Sequence, residues 1–279
     1  MTKAQQIGSM TAKGGFLNEK DICHKFQSYQ EDCDAQQWLK IMGYDYAKIT
    51  QLIATHIPVR IKRSKALALG IHEEKYEESI RYKKADIQIK IAIMIESVIS
   101  IENISLKKSN TSAGFNQIDK RAVSTYQQLW HFDDTLAYWL KCFTGEILPS
   151  AIAKEHAIHA RDPKGKRVFL DELPLHAQQE IIHFFQTHQY LIISDIIKGR
   201  GGLCAEWILV TRQDPLNTHA IDWVLKDINT TINFYSQGEV TLSPRGSLKI
   251  GRITMQRKGG TPDPTSLQFK MNPLELFNA

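Results

Sequence analysis

The sequence predicts an α/β fold, a single domain with a central mixed β-sheet flanked by helices, and three observations lead there. Two runs rich in β-branched residues, 85–95 and 98–107, follow each other closely, and the first sets Ile87, Ile89, Ile91, Ile93 and Ile95 against Asp86, Gln88 and Lys90 with the period of two that a strand requires. Amphipathic helical patterns lie on both sides of this pair. From residue 190 onward, short apolar runs alternate with Gly and Pro turns, the punctuation of further strands. A chain of 279 residues, 42% hydrophobic and 23% charged, is long enough to bury a sizeable core and has the composition of an ordinary folded protein.

The elements follow in order. Residues Asn18 to Leu39 read as an amphipathic helix or helix pair, with Ile22, Phe26 and Tyr29 at helical spacing, and Gly43 closes the continuation of that pattern. From Tyr46 to Lys84 the chain is polar, with Glu73, Glu74, Lys75, Glu77 and Glu78 on a charged helix face, and reads as peripheral. After the two β-rich runs, a polar turn over 108–114 leads to a helix over about 116–140, whose aromatics Tyr126, Trp130, Phe132, Tyr138 and Trp139 belong to the core. A helix is expected at 175–188, strands at 190–197, 205–211 and 221–225, a helix at 227–235, and strands at 239–242, 247–255 and 267–271.

Charge narrows the function classes. The formal net charge is +5, from 35 basic and 30 acidic residues, and local basic stretches at 62–65, 81–84, 161–167 and 245–258 suit an anionic partner if they converge. Cys23, Cys33, Cys142 and Cys204 are scattered with no CxxC pair, and no signal-peptide pattern is visible, so a reducing, cytoplasmic setting is expected. No apolar run approaches the roughly 18 residues of a membrane span, and no membrane partner is expected. The His156/His159 and Cys23/His24/Cys33 groups lack the four-ligand spacing of structural zinc. Gly199-Arg200-Gly201-Gly202 lacks the Lys-Ser or Lys-Thr of a nucleotide-binding P-loop and reads more plausibly as a DNA-facing turn.

The chemistry concentrates on the β-rich pair. Asp86 opens the first strand, and Ser105 and Lys107, two apart on the second, share a face. A carboxylate beside an ammonium can hold a hard divalent ion and stabilise a developing oxyanion, as phosphodiester hydrolysis requires; taken alone, those three residues are a weak signal, and a solvent-exposed strand edge accounts for them better. The surrounding motifs carry more. Asn103-Ile104-Ser105-Leu106-Lys107 with Gly114-Phe115-Asn116-Gln117-Ile118-Asp119-Lys120 resembles the HinP-one-I type of restriction endonuclease. The similarity extends through Gly14 to Asp21, 130–134, 143–146, 199–201, 205–207, 242–247, 256–260 and 267–270. Residues 57–82 fall outside it and read as an insertion.

The resemblance implies a restriction-endonuclease-like fold of the PD-(D/E)XK class and magnesium-dependent cleavage of double-stranded DNA at GCGC. It implies metal ligation by Asp86, with Lys107 beside the nucleophilic water; the Leu106 carbonyl and a water held by Ser105 would complete the shell. Ser105 stands where the class has an acid and the close relative a glutamine; it is uncharged and too short for a strong magnesium ligand. Glu19 on the first helix is the candidate additional acid, or simply a solvated helix carboxylate. For DNA, Phe115 and Gln117 would probe the duplex, with Asn116, Asp119 and Lys120 on bases or phosphates, unless Asn116 or Asp119 merely caps a helix. Arg245, between Ser243 and Ser247, is the candidate base reader, and Lys198, Arg200, Arg257, Lys258 and Lys270 are candidate phosphate contacts. A cognate DNA cytosine methyltransferase and a monomer or weak homodimer are expected. A DNA-binding homologue that does not cut is the alternative, and Ser105 is its best argument.

Overall fold

Ile87, Ile89 and Ile91 are fully buried on one face of a strand, and the sheet built on that strand organises one of the chain's two compact units. The structure is a computed structural model that describes residues 18–93, 99–109, 114–152, 156, 158, 160–161, 167–213, 221–257 and 265–279. In chain order these form α1 (18–27), α2 (Cys33–Ile41), β1 (Ile49–His56), α3 (Arg63–Ala66), α4 (Tyr76–Arg81), β2 (Ile87–Ile93) and β3 (Ile99–Ser109). Next come β4 (Asn116–Ala122), α5 (Val123–Trp130), α6 (Asp134–Thr144), α7 (Leu175–Thr187), α8 (Gln189–Ile197), β5 (Trp207–Gln213) and β6 (Ile221–Asp227). The chain ends with α9 (Ile228–Tyr235), β7 (Val240–Leu242), β8 (Leu248–Ile250), β9 (Ile253–Arg257) and β10 (Ser266–Met271). No described helix is long and apolar enough to cross a membrane.

Two compact units emerge. One gathers the described residues up to Gly114 with Ile197–Thr231 and Pro273–Ala279. Its mixed sheet has the order β1-β2-β3-β5-β6, antiparallel throughout except for the parallel β3/β5 pair. Phe26, Trp38 and Leu39 from α1 and α2 pack with Ile87, Ile89, Ile91, Ile104, Leu209 and Leu225 of the sheet. Each such side chain, fully buried, is worth about 1.5–3 kcal/mol. The Asp32 carboxylate caps α2 by accepting from the Ala35 N–H at 2.9 Å, and Lys25 from α1 reaches both Asp32 and Asp34, so charge and cap together fix the angle between the two helices. A smaller core of Ile57, Ile61, Ala66, Leu69, Ile71, Ala85 and Leu203 holds the segment between β1 and β2.

The other unit comprises Phe115–Ile196 and Ile232–Asn272 among the described residues. Its antiparallel sheet runs β4-β10-β9-β8-β7. Tyr126 stacks on Trp130 at 4.6 Å, and Phe269 and Phe185 meet them edge-on. The Trp130 Nε1–H donates to the buried Asp195 carboxylate at 3.0 Å.

Three expectations are corrected. Residues 116–122 form a strand rather than the start of a helix: their polar side chains suit an edge position, and they pair with β10, some 150 residues away in sequence, a partner that local pattern cannot reveal. The helix that follows breaks at His131, whose left-handed backbone (φ 55°) ends α5, and the Asp133 carboxylate caps α6. Residues 190–197 are helical: Tyr190 and Leu191 face outward while Ile192, Ile193, Ile196 and Ile197 are buried, a helical spacing that a short apolar run does not distinguish from a buried strand. Finally, the polar segment after Tyr46 is not wholly peripheral, since β1 is a full member of the sheet.

Candidate active site

Asp86 sits at the entrance to β2, and its backbone is tied on both sides: its N–H donates to the Ile104 carbonyl at 2.8 Å, and its carbonyl accepts from the Ile57 N–H at 2.9 Å. Those bonds bring its side chain to β3, where Oδ2 accepts from the Leu106 N–H at 2.7 Å and from the Ser105 hydroxyl at 3.3 Å. Lys107 completes the group. Its ammonium donates to Ser105 Oγ at 2.8 Å and to the Leu106 carbonyl at 2.9 Å, and lies 3.8 Å from Asp86 Oδ2. Ser105 is 3% exposed, so its hydroxyl is a buried bridge between the lysine and the aspartate. A polar bridge of this kind fixes the side chains it joins.

A second acid faces this group. Glu19, on α1, has its Oε2 2.6 Å from His56 Nε2 at the end of β1. Burial and the negative charge of Asp86 push the Glu19 carboxyl above its ordinary value, while the hydrogen bond and charge of His56 and the charge of Lys107 pull it down. Glu19, Asp86 and Lys107 therefore share one electrostatic field. Lys83 enters the same field: burial lowers its ammonium, against the attraction of Asp86 and Glu19, and it donates to the Pro58 carbonyl at 2.7 Å. Neither His56 nor Lys83 was among the residues singled out from sequence. The signal for His56 was the strand that ends on it, hidden by its polar surroundings.

Among the described residues, no group of three or more His, Cys, Asp or Glu side chains is arranged to hold a metal ion. The donors at hand are the Asp86 and Glu19 carboxylates and the Leu106 carbonyl, all hard oxygens. That set fits magnesium, which uses one or two carboxylates and keeps several waters, better than a metal needing a full cage of side chains. A cation there would also relieve the repulsion between the two acids.

Lys198 and Arg200 lie in the same unit as this group. The Lys198 carbonyl accepts from the Ala205 N–H at 2.7 Å, and the Arg200 N–H donates to the Tyr82 carbonyl at 3.2 Å. The glycines on either side of Arg200 are set by packing: at Gly199 (φ 77°) a Cβ would come within 2.1 Å of the Tyr82 carbonyl oxygen, and at Gly201 (φ 76°) within 2.8 Å of Ser79 Oγ. Both glycines of this turn are thus pressed against the end of α4.

The remaining recognition candidates belong to the other unit. Phe115 is 55% exposed just before β4. Asn116, Gln117 and Lys120 lie on β4, and an amide chain runs from Gln256 Nε2 to Gln268 Oε1 and from Gln268 Nε2 to Gln117 Oε1. The Asp119 carboxylate is committed inward, to Arg121 Nε at 3.0 Å and the Tyr126 hydroxyl at 2.9 Å. Arg245 is exposed on the β7–β8 turn, which closes through the Ser243 N–H to the Ser247 carbonyl at 2.7 Å and the Ser247 N–H to Ser243 Oγ at 3.1 Å. Arg257 lies over the Phe169 ring and donates to the Val168 carbonyl at 3.0 Å. Lys270 is on β10; Lys258 lies outside the described residues.

Comparisons with known proteins follow this geometry. No curated protein matches the sequence. Among solved structures, the chain is similar to the restriction endonuclease MspI, crystallised in complex with its cognate DNA: the TM-score is 0.59 at 12% identity, over 97% of this chain and 93% of that one. At that identity the likeness is one of fold, and the fold is that of a restriction endonuclease. The family model described as R.HinP1I restriction endonuclease matches residues 78–277, a span that holds Asp86, Ser105 and Lys107 and most of the recognition candidates. With most of its length matched, the chain belongs to the R.HinP1I restriction endonuclease family and is a type II, site-specific DNA nuclease.

Proposed function

We propose that the protein hydrolyses both strands of DNA at a short palindromic site, GCGC by family resemblance, using magnesium in a centre of the PD-(D/E)XK type. The observation that carries this reading is the hydrogen-bonded group of Asp86, Ser105, Leu106 and Lys107 at the ends of two adjacent strands. Asp86, the Leu106 carbonyl and Glu19 would hold the ion, which when bound polarises the scissile phosphate and lowers the pKa of a coordinated water. Lys107 orients the attacking water and offsets charge as it develops on the phosphate. Ser105 keeps the ammonium turned toward Asp86.

In this reading Arg245 reads a guanine edge, with Ser243 and Ser247 shaping its turn, and Phe115, Asn116 and Gln117 probe the duplex. Asp119 acts through Arg121, and Lys120, Lys198, Arg200, Arg257, Lys258 and Lys270 meet phosphates. The enzyme acts in the cytoplasm as a monomer or weak homodimer, and a cognate cytosine methyltransferase protects the host genome. The whole chain serves as one endonuclease domain with an insertion at 57–82.

The test is digestion of unmethylated plasmid in magnesium, with sequencing of the fragment ends. Recurrent GCGC ends are expected, and random ends would sink the specificity. The uncharged Ser105 favours a second reading, a DNA-binding homologue without cleavage. A protein that retards the duplex yet leaves it intact in magnesium would establish that alternative.

A further inference from the structure

We infer that His56 is a positioning residue of the cleavage centre: it holds the Glu19 carboxylate in the field of Asp86, so that α1 supplies the second acid that the chain lacks at position 105. The inference rests on the nuclease reading above and deepens it. Sheet register places the histidine. His56 pairs with Ile87, the residue after Asp86, and the next N–H along β1, that of Ile57, bonds the Asp86 carbonyl at 2.9 Å. The backbone of His56 therefore stands one strand away from that of the aspartate, in the same hydrogen-bonded ladder.

From there Nε2 meets Glu19 Oε2 at 2.6 Å, both side chains only about a fifth exposed, at 21% and 23%. A glutamate on a helix has several free torsions, and ordering it without a partner costs side-chain entropy. The imidazole bond at 2.6 Å removes that freedom and holds the carboxylate at the end of β1, where it feels the charges of Asp86 and Lys107. Ser105 cannot take the acid's part, because its hydroxyl is short, uncharged and already engaged by Lys107 and Asp86. Residues that orient a ligating side chain through a hydrogen bond are worth about 10–100-fold in metal affinity or activity.

The experiment uses the full chain as His56→Ala, His56→Gln and Glu19→Gln, each checked by thermal melting. Calcium ion is titrated calorimetrically into each protein bound to a GCGC duplex, and cleavage in magnesium is measured in parallel. H56A and E19Q are each expected to weaken calcium binding about 10–100-fold, while H56Q, whose amide N–H can still donate to Glu19, recovers most of the loss. The double variant of H56A and E19Q should be no weaker than E19Q alone. If H56A does not fold, H56Q and E19Q decide, the first retaining calcium and the second losing it. Calcium affinity in H56A or E19Q within about twofold of an unmutated protein that cuts DNA would overturn the inference alone. An unmutated protein that binds duplex yet neither takes up calcium nor cuts would overturn the nuclease reading and the inference with it.

Discussion

Replacing Lys107 with alanine removes a cation held directly against Ser105 and the Leu106 carbonyl, at 2.8 and 2.9 Å, and 3.8 Å from Asp86 Oδ2. A unit charge at that separation from a developing oxyanion is worth about 4 kcal/mol at an effective dielectric constant near 20. Since about 1.4 kcal/mol is tenfold in rate, the expected loss is about a thousandfold in kcat. Loss of one preorganised donor elsewhere costs a similar amount, about 100- to 1000-fold. The assay is single-turnover plasmid cleavage in magnesium, with duplex binding in calcium measured by gel retardation. Binding should persist, because the lysine's partners are protein groups. A K107A protein that cuts within about tenfold of wild type would refute the assignment of the ammonium to the transition state.

Other outcomes follow from the same geometry. Arg245→Ala should cost about 1–3 kcal/mol of binding to the cognate site and relax selection at one base pair, whereas Lys270→Ala should weaken all sequences alike and lower the salt slope by about one; fluorescence anisotropy across a salt series separates them. Gly199→Ala forces a Cβ to within 2.1 Å of the Tyr82 carbonyl oxygen at φ 77°, so it should destabilise the fold by more than the roughly 1–2 kcal/mol of left-handed backbone strain, read as a lowered Tm. Burial raises the Glu206 carboxyl above its ordinary 4.5, although it accepts from the Asn103 N–H at 2.8 Å. A raised folded-state pKa gives stability that is complete below the unfolded value and is lost as pH rises through the folded one. Urea midpoints of Glu206→Gln should therefore change less with pH above 4.5 than those of the wild type, and parallel curves would refute this.

How much of this was legible in the sequence depends on how local the cause was. The alternation of Ile87, Ile89 and Ile91 encodes its own strand, since burying one face needs no knowledge of the partner. Asp86, Ser105 and Lys107 could be placed at neighbouring strand ends for the same reason. The strand at Asn116–Ala122 was illegible because its partner is remote, and the helix at Gln189–Ile197 because a short, nearly all-apolar run suits helix and strand alike. His56 escaped notice as a lone histidine at the end of a strand with a mixed burial pattern; only the sheet register brings it beside Ile87. The inward role of Asp119 depends on Tyr126, seven residues away on the helix that follows, a contact that a continuous helix would not have suggested.

The two backbone bonds that clasp Asp86 have a kinetic meaning. With its N–H given to Ile104 and its carbonyl taken by Ile57, the residue keeps only its own two side-chain torsions, and the Leu106 N–H holds those as well. In the proposed mechanism the acid thus reaches its working position when the sheet forms, and little rotational search or reorganisation is left for the moment of reaction. Such a site tolerates no change of reach: a glutamate at position 86 would keep the charge but carry it one carbon–carbon bond, about 1.5 Å, past a target that the sheet cannot move. An error of that order is enough to cost about a hundredfold in rate.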